Sequence, residues 1–310
     1  MKSQDVVFDV TAATGLEEQV SIMGTLHLPE DCGKSEKLDL LLCLHGGGYR
    51  RAYWDFPCMG AAEYSFARFF TSQHKAVLAL DQLGMGDSSK PQPESKLSRA
   101  SIAAANAHSL AQAVQRLTDG TWASAAAISV TGVGHSIGGM MIITQAATHR
   151  GLDRVAVLGW ANQPMVLGDT DTAKLSATLI PSGYLPSPRP ALRKLFYLPD
   201  VPPAVIEVDE ALGTETPACL GRDALTPAIV HAAAGQIAVP VLIVHGEIDT
   251  SPDPWGEVPF FNSSRDVTLS VLGGSAHCHN LASSRHEHWS RLNRWVDSLP
   301  AQRNIGGALS

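Results

Sequence analysis

A chain of 310 residues can bury one large core, or one core and a small accessory unit. Its hydrophobic fraction of 45% and charged fraction of 17% are typical of a globular protein with an apolar interior. The formal net charge of −7 argues against nucleic acid or an anionic membrane surface as the main partner.

The amino terminus and the cysteines indicate a reducing compartment. Residues 1–8 lack the apolar segment of a secretory signal, and no apolar run approaches the ~20 residues that span a bilayer. The five cysteines are dispersed without a C-x-x-C pair, which is typical of free thiols. We therefore expect a cytoplasmic protein that has no membrane partner.

Strand patterns alternate with helix patterns up to about residue 162. The two earliest strands are predicted at 6–10 and 19–28, as an antiparallel start to the sheet. Buried strands follow at 38–44, 76–80, 128–134 and 154–159, with helices over 60–72, over 101–117 and after Ser136. This order predicts an α/β fold, with a mostly parallel sheet of about eight strands flanked by helices.

The alternation stops near residue 162 and resumes with buried strands at 239–245 and 267–272. An amphipathic helix at 285–298 then closes the pattern. The interruption of about 75 residues is too long for an ordinary connection, so we expect a structured insertion with several short helices.

A strand-to-helix turn with the pattern G-x-S-x-G carries the clearest chemical signal. Gly134-His135-Ser136-Ile137-Gly138 lies between a buried strand and an apolar helix. Such a turn holds its serine in a strained backbone conformation and exposes the hydroxyl above the sheet edge. A side chain at Gly134 or Gly138 would collide where strand and helix pass closely. Ser136 is therefore the predicted nucleophile.

A serine hydroxyl needs a base, and the base needs an orienting carboxylate. Both residue types follow later strands at the sheet edge where Ser136 lies. The carboxylates after the strand at 239–245 are Glu247, Asp249 and Asp253, and the histidines after the next strand are His277 and His279. Position favours Asp249 and His277, with the others as alternatives. A metal site built from the two histidines would leave the serine unexplained.

Several motifs together resemble the α/β-hydrolase family over nearly the whole chain. The G-x-S-x-G turn resembles its nucleophile elbow, and His45-Gly46-Gly47-Gly48 resembles its oxyanion loop. Gly246-x-x-Asp249 resembles its acid loop, and the turn that ends at His277 resembles its histidine loop. The resemblance implies an α/β-hydrolase fold and a serine esterase or lactonase.

The resemblance also implies roles for individual residues. Ser136 is the nucleophile, His277 the general base and then acid, and Asp249 the orienting carboxylate. The oxyanion is expected to bind the backbone N–H groups of Ile137 and of two loop glycines, Gly47 and Gly48.

In this family an insertion at this place is typically a cap over the serine. We therefore expect a first part of the core at 1–162, a helical cap at 163–238 after the sixth strand, and a second part of the core at 239–310. The cap cations Arg189, Arg193 and Lys194 are expected on a solvated face.

The expected substrate is an uncharged, fairly apolar carboxylic ester or lactone of small to medium size, cleaved through an acyl-enzyme. Substrate contacts are predicted for Tyr49, His135, Trp160 and His279. We expect no cofactor and no metal. A homodimer is the assembly proposed, although the sequence does not determine the oligomeric state. Acyl transfer, carbon–carbon bond hydrolysis and a non-catalytic ligand receptor are alternative functions of such a scaffold.

Overall fold

The computed structural model describes residues 1–32, 34–35, 37–58, 61–167 and 180–299. Within these ranges, eight strands form the main sheet. They are β1 (Lys2–Asp9), β2 (Ser21–Leu28), β3 (Leu38–Leu44), β4 (Lys75–Leu80), β5 (Ile128–His135), β6 (Arg154–Leu158), β7 (Val241–Gly246) and β8 (Val267–Leu272). The α/β fold class and the mostly parallel sheet of eight strands are confirmed.

The sheet order is β1-β2-β4-β3-β5-β6-β7-β8. Strand β2 pairs antiparallel with β1 and β4, and the remaining neighbours pair in parallel. In the parallel part, Leu44 pairs with Gly134 and His135 pairs with Leu158. The carboxyl ends of these strands therefore meet at one edge of the sheet, where the predicted catalytic loops begin.

The helices alternate with the strands and then crowd into the stretch between β6 and β7. They are α1 (Thr11–Thr14), α2 (Phe66–Ser72), α3 (Arg99–Thr118), α4 (Ile137–Thr148), α5 (Arg193–Phe196), α6 (Pro203–Ala211), α7 (Ala218–Ala224), α8 (His231–Ala234) and α9 (Arg285–Ser298). No helix in the described ranges is both long enough and apolar enough to cross a membrane.

Local signals explain where two of these helices begin. The Ser65 hydroxyl accepts a hydrogen bond from the N–H of Arg68, so α2 begins at Phe66, later than the predicted start at residue 60. Residues Ala61–Tyr64 before it form a 3₁₀ turn. A capping box between Ser98 and Ser101 begins α3 two residues before the predicted start.

The central strands are buried on both faces. Leu40, Leu42 and Leu44 of β3 pack into the core on one side of the sheet, while Leu41 and Cys43 pack into the core on the other. Alternate side chains of a strand point to opposite faces, so β3 belongs to both cores. This double burial holds the strand ends rigidly, and rigid strand ends support precise loops.

The stretch between β6 and β7 is folded, although residues 168–179 lie outside the described ranges. Two short strands, Tyr184–Leu185 and Thr216–Pro217, pair antiparallel within it. Helices α5 to α8 lie in the same stretch, and the sequence patterns did not predict α7. The division of the chain into a cap at 163–238 and a second core part at 239–310 stays a prediction. Residues 300–310 of that second part also lie outside the described ranges.

A buried ion pair between Arg189 and Asp209 stabilises this insertion internally. Arg189 is 0% exposed and its Nε lies 3.1 Å from Asp209 Oδ2. Tyr49 and Tyr197 both donate hydrogen bonds to the same carboxylate oxygen. The guanidinium also lies 3.3 Å from the centre of the Tyr49 ring. The prediction that these cations lie on a solvated face is therefore wrong for Arg189. It is confirmed for Arg193 and Lys194, which are exposed.

The same insertion holds two loops of the sheet edge. Arg189 Nη1 and the N–H of Thr214 donate to the carbonyl oxygen of Gly48, at 2.5 and 3.0 Å. On the other side, the carbonyl of Leu195 accepts a hydrogen bond of 3.0 Å from the N–H of His277. The insertion thus fixes the glycine loop after β3 and the histidine loop after β8 relative to each other.

We expect Arg189→Met to lower the free energy of unfolding by about 3 kcal/mol, because it leaves the Asp209 carboxylate buried without its cation. The matched control is Arg193→Met, which removes an exposed arginine paired with Glu210 in the same segment. Exposed pairs contribute little, so this variant should change stability far less. Chemical denaturation followed by circular dichroism compares the two, and equal losses would contradict a structural role for the buried pair.

Candidate active site

Ser136 occupies the turn between β5 and α4 in a conformation that is rare for a residue with a side chain. Its φ is 55° and its ψ is −124°. Its N–H donates to the carbonyl of Leu158 on the neighbouring strand at 2.8 Å. Helix α4 begins at the next residue, so unpaired N–H groups of its first turn lie beside the serine.

Two glycines make this turn possible. A Cβ placed on Gly134 would lie 2.1 Å from the carbonyl oxygen of Gly138, and one placed on Gly138 would lie 2.1 Å from that of Leu44. Both distances are far below van der Waals contact with backbone, which cannot move aside. The predicted collision is confirmed, and any side chain at either position would displace the serine.

His277 and Asp249 meet at the same sheet edge. His277 Nδ1 lies 2.6 Å from Asp249 Oδ1, and the Asp249 side chain is 1% exposed. The carboxylate also accepts hydrogen bonds from the N–H groups of Gly246 and Thr250, at 2.8 and 2.7 Å. Since Nδ1–H donates to the carboxylate, Nε2 of His277 is left as the proton acceptor of the ring.

Burial acts to raise the pKa of Asp249, but its neighbours outweigh burial. The charge of His277, the His245 ring 3.6 Å away, and hydrogen bonds from His277 and His279 hold the pKa of the carboxyl well below its ordinary value. Asp249 is therefore ionised at neutral pH. An ionised carboxylate fixes the imidazole orientation and stabilises the imidazolium that forms when His277 takes a proton.

The alternative residues lie in other surroundings. His279 Nε2 donates to Asp249 Oδ2 at 2.9 Å, but its ring is fully buried. Glu247 accepts a hydrogen bond from the N–H of Gly274, and Asp253 caps a 3₁₀ turn. Both of these carboxylates are exposed at the protein surface. The geometry thus favours Asp249 and His277 as the orienting carboxylate and the general base. His279 contacts the other oxygen of the same carboxylate.

Gly159, at the end of β6, is a constraint that the sequence did not reveal. Its φ is +61°, and a Cβ there would lie 2.9 Å from His277 Nδ1 and 3.3 Å from Asp249 Oδ1. A side chain would therefore push the imidazole away from its carboxylate. The only signal in the sequence is a glycine at the end of a buried strand, which could equally mark an ordinary turn.

Ser136 and His277 line one cavity of about 430 Å³ beneath the insertion. Most of its described lining is apolar and comes from the insertion or from the chain just before it. Examples are Trp160, Met165, Leu185, Leu195, Phe196 and Leu225. No Asp, Glu, Lys or Arg occurs among the described lining residues. Such a cavity suits an uncharged ligand with one polar group near the serine.

The predicted oxyanion residues differ in what their N–H groups do. Gly47 and Ile137 line the cavity, and a Cβ on Gly47 would lie 2.7 Å from Ile137 Cδ1. The N–H of Gly48 instead donates to Thr216 Oγ1 at 2.6 Å. The predicted direct role of Gly48 therefore needs correction, because its donor is already engaged by a side chain of the insertion.

The predicted substrate contacts are only partly at the cavity. Trp160 is among its described lining residues, whereas Tyr49, His135 and His279 are not. Tyr49 is buried against Asp209, and His279 lies behind Asp249. His135 Nε2 donates to the carbonyl of His277 at 2.8 Å. Burial, followed by the charges of His277 and His279, lowers the pKa of His135 well below its ordinary value, so it is a neutral structural ring.

The described part of the chain contains no group of three or more histidine, cysteine or acidic side chains arranged to hold a metal ion. His277 and His279 instead share the carboxylate of Asp249. Their geometry is that of hydrogen-bonded imidazoles.

Solved structures of hydrolases resemble this fold across most of the chain. A soluble variant of monoglyceride lipase from Saccharomyces cerevisiae, in complex with a substrate analogue, has a TM-score of 0.68 at 15% identity and covers 91% of this chain and 92% of its own. A highly thermostable carboxyl esterase from Bacillus coagulans has a TM-score of 0.64 at 14% identity and covers 96% and 98%. An esterase from Exiguobacterium antarcticum has a TM-score of 0.63 at 16% identity and covers 90% and 97%.

At these identities the likeness concerns the fold. A comparison with curated protein sequences finds no significant match. The profile described as the alpha/beta hydrolase family matches residues 41–289, which include the elbow, the acid loop and the histidine loop. That match spans well over half of the sequence, and the chain belongs to the alpha/beta hydrolase family.

Proposed function

We propose that the protein is a serine hydrolase that cleaves a carboxylic ester or lactone through an acyl-enzyme. One observation carries the proposal: a strained serine and a carboxylate-paired histidine line the same apolar cavity. A positive φ at Ser136 costs conformational energy, so folding alone does not explain the conformation of the serine. Two of the three solved structures named above are esterases, which is the reaction class proposed here.

The mechanism begins with His277 Nε2, which takes the proton of Ser136 as the serine oxygen attacks the carbonyl carbon. The negative charge that develops on the carbonyl oxygen binds the N–H groups of Ile137 and Gly47, each worth about 3 kcal/mol in such sites. His277 then protonates the leaving alcohol. Water attacks the acyl-enzyme by the same steps, with His277 as base, and the acid product leaves.

The substrate class follows from the cavity. We propose an uncharged, fairly apolar ester or lactone of small to medium size, since burying an unpaired charge among apolar side chains is costly. The segment 163–238 is proposed to act as a cap that covers the serine and keeps bulk water from the acyl-enzyme. No cofactor takes part in these steps. We also propose a cytoplasmic location, supported by five free cysteines.

We expect Ser136→Ala to lower kcat on p-nitrophenyl esters by at least ~10³-fold while binding of the substrate survives, because only the attacking oxygen is lost. Ser72→Ala, an exposed serine on α2, is the matched control and should leave kcat unchanged. Persistent hydrolysis by the Ser136 variant would contradict the proposal. A wild-type protein that binds ligands without turnover would favour the receptor alternative.

Variants at the two histidines beside Asp249 distinguish the general base from the histidine that only supports the carboxylate. We expect His277→Ala to lower kcat by at least ~10³-fold, because the proton acceptor is removed. His279→Ala should lower it only about tenfold, because Asp249 keeps its two backbone donors and His277. Steady-state kinetics on one ester tests both. A larger loss in His279→Ala would exchange their roles.

The remaining alternatives share this site and differ in products. Under the proposed function, product analysis of an ester panel should yield only the free acid and alcohol. An ester or amide formed with an added alcohol or amine acceptor would instead indicate acyl transfer, and turnover of diketone-like substrates would indicate carbon–carbon hydrolysis.

A further inference from the structure

A hydroxyl group lies in the cavity wall close to the predicted oxyanion position. It belongs to Thr216, which is 5% exposed and lines the cavity together with Ser136 and Gly47. Thr216 Oγ1 would lie 3.5 Å from a Cβ placed on Gly47, whose N–H is a proposed oxyanion donor. Polar groups are scarce in this cavity, so a buried hydroxyl at this place invites a functional explanation.

The hydrogen bond to Gly48 determines which part of the hydroxyl remains available. Thr216 Oγ1 accepts from the N–H of Gly48 at 2.6 Å, so the oxygen uses acceptor capacity there. A hydroxyl carries one further O–H donor. Within the described ranges, no side chain or carbonyl is hydrogen-bonded to that donor. The donor is therefore available to a ligand that enters the cavity.

The position of Thr216 is held from both directions. Thr216 pairs with Leu185 in the short antiparallel ladder of the insertion. Thr214, two residues earlier on the same segment, donates its N–H to the carbonyl of Gly48, and Arg189 donates to the same oxygen. The insertion thus holds both the N–H and the carbonyl oxygen of Gly48. A donor held this rigidly needs little reorganisation when charge develops beside it.

We propose that Thr216 is a catalytic residue, whose O–H donates a hydrogen bond to the substrate carbonyl oxygen and to the oxyanion formed from it. The inference rests on the proposed function. As Ser136 Oγ bonds to the carbonyl carbon, the electron pair of the carbonyl double bond moves to oxygen, and Thr216 keeps its proton throughout. The N–H of Gly48 acts through Thr216, because a hydroxyl that accepts a hydrogen bond becomes a stronger donor.

The insertion then does more than cover the site, because it supplies one of the groups that stabilise the transition state. The proposal also explains why Gly48 N–H can be engaged by a side chain without loss of an oxyanion donor. The hydroxyl replaces that N–H at the reacting atom.

The test compares Thr216→Val with Thr216→Ser. Valine keeps the β-branched shape and removes the donor, whereas serine keeps the donor. We expect Thr216→Val to lower kcat on a p-nitrophenyl ester by ~10²-fold with KM changed less than about threefold. Thr216→Ser should retain kcat within about threefold of wild type.

A second readout separates a catalytic donor from a residue that only shapes the cavity. An alkyl trifluoromethyl ketone forms a tetrahedral adduct with the serine and carries an oxyanion. The inhibition constant of the ketone should increase in Thr216→Val by the same factor by which kcat/KM falls. In Thr216→Ser it should return to the wild-type value. An increase in KM alone, or unchanged inhibition by the ketone, would overturn the proposal.

Two controls keep the outcomes distinct. Thermal unfolding identifies a Thr216→Val protein that does not fold. In that case Thr216→Cys takes its place, because a thiol is only a weak donor. Its kcat should lie below the kcat of wild type and of Thr216→Ser, without a complete loss of activity. A wild-type kcat in Thr216→Cys would overturn the proposal. Wild-type protein without esterase activity would reject the proposed function and this inference together. Active wild type with an equally active valine variant would reject this inference alone.

Discussion

The site depends on the close approach of helix α4 to strands β5 and β3, where neither Gly134 nor Gly138 has room for a side chain. This contact makes the chain turn within one residue, so Ser136 takes a positive φ that the surrounding strand and helix hold in place. The strain is supported by well-packed neighbours, since β5 is buried along nearly its whole length. A reactive oxygen at a rigid sheet edge is the consequence.

The other groups reach this edge by two different routes. Parallel strands bring the acid and histidine loops there. Two backbone N–H groups hold the buried Asp249 carboxylate, and the carboxylate in turn orients His277. The insertion adds hydrogen bonds to the histidine loop through Leu195 and to the glycine loop through Arg189. It therefore acts as part of the site, because displacement of the insertion would loosen both loops at once.

The sequence could predict the sheet because the relevant signals are local. A buried apolar run predicted β3 with the bounds observed, and periodicity predicted those of α9. The bounds of β8 are also as predicted, but β8 lies at the edge of the sheet and only Leu272 is buried, so the predicted burial of this strand is wrong. The order of motifs along the chain put Ser136 on the edge that Asp249 and His277 share. Contacts across the insertion carry no local signal. Arg189 looked like a surface cation because its partner Asp209 and the Tyr49 ring meet it only in three dimensions. Thr216 likewise meets Gly48 across 168 positions of the chain.

The most direct measurement of the central claim is the rate at which a fluorophosphonate modifies the protein, followed by intact-mass spectrometry and peptide mapping. The account predicts a single adduct on Ser136, formed at least ~10²-fold faster in wild type than in His277→Ala, because the imidazole activates the serine. Modification of a different residue, or equal rates in the two proteins, would contradict it.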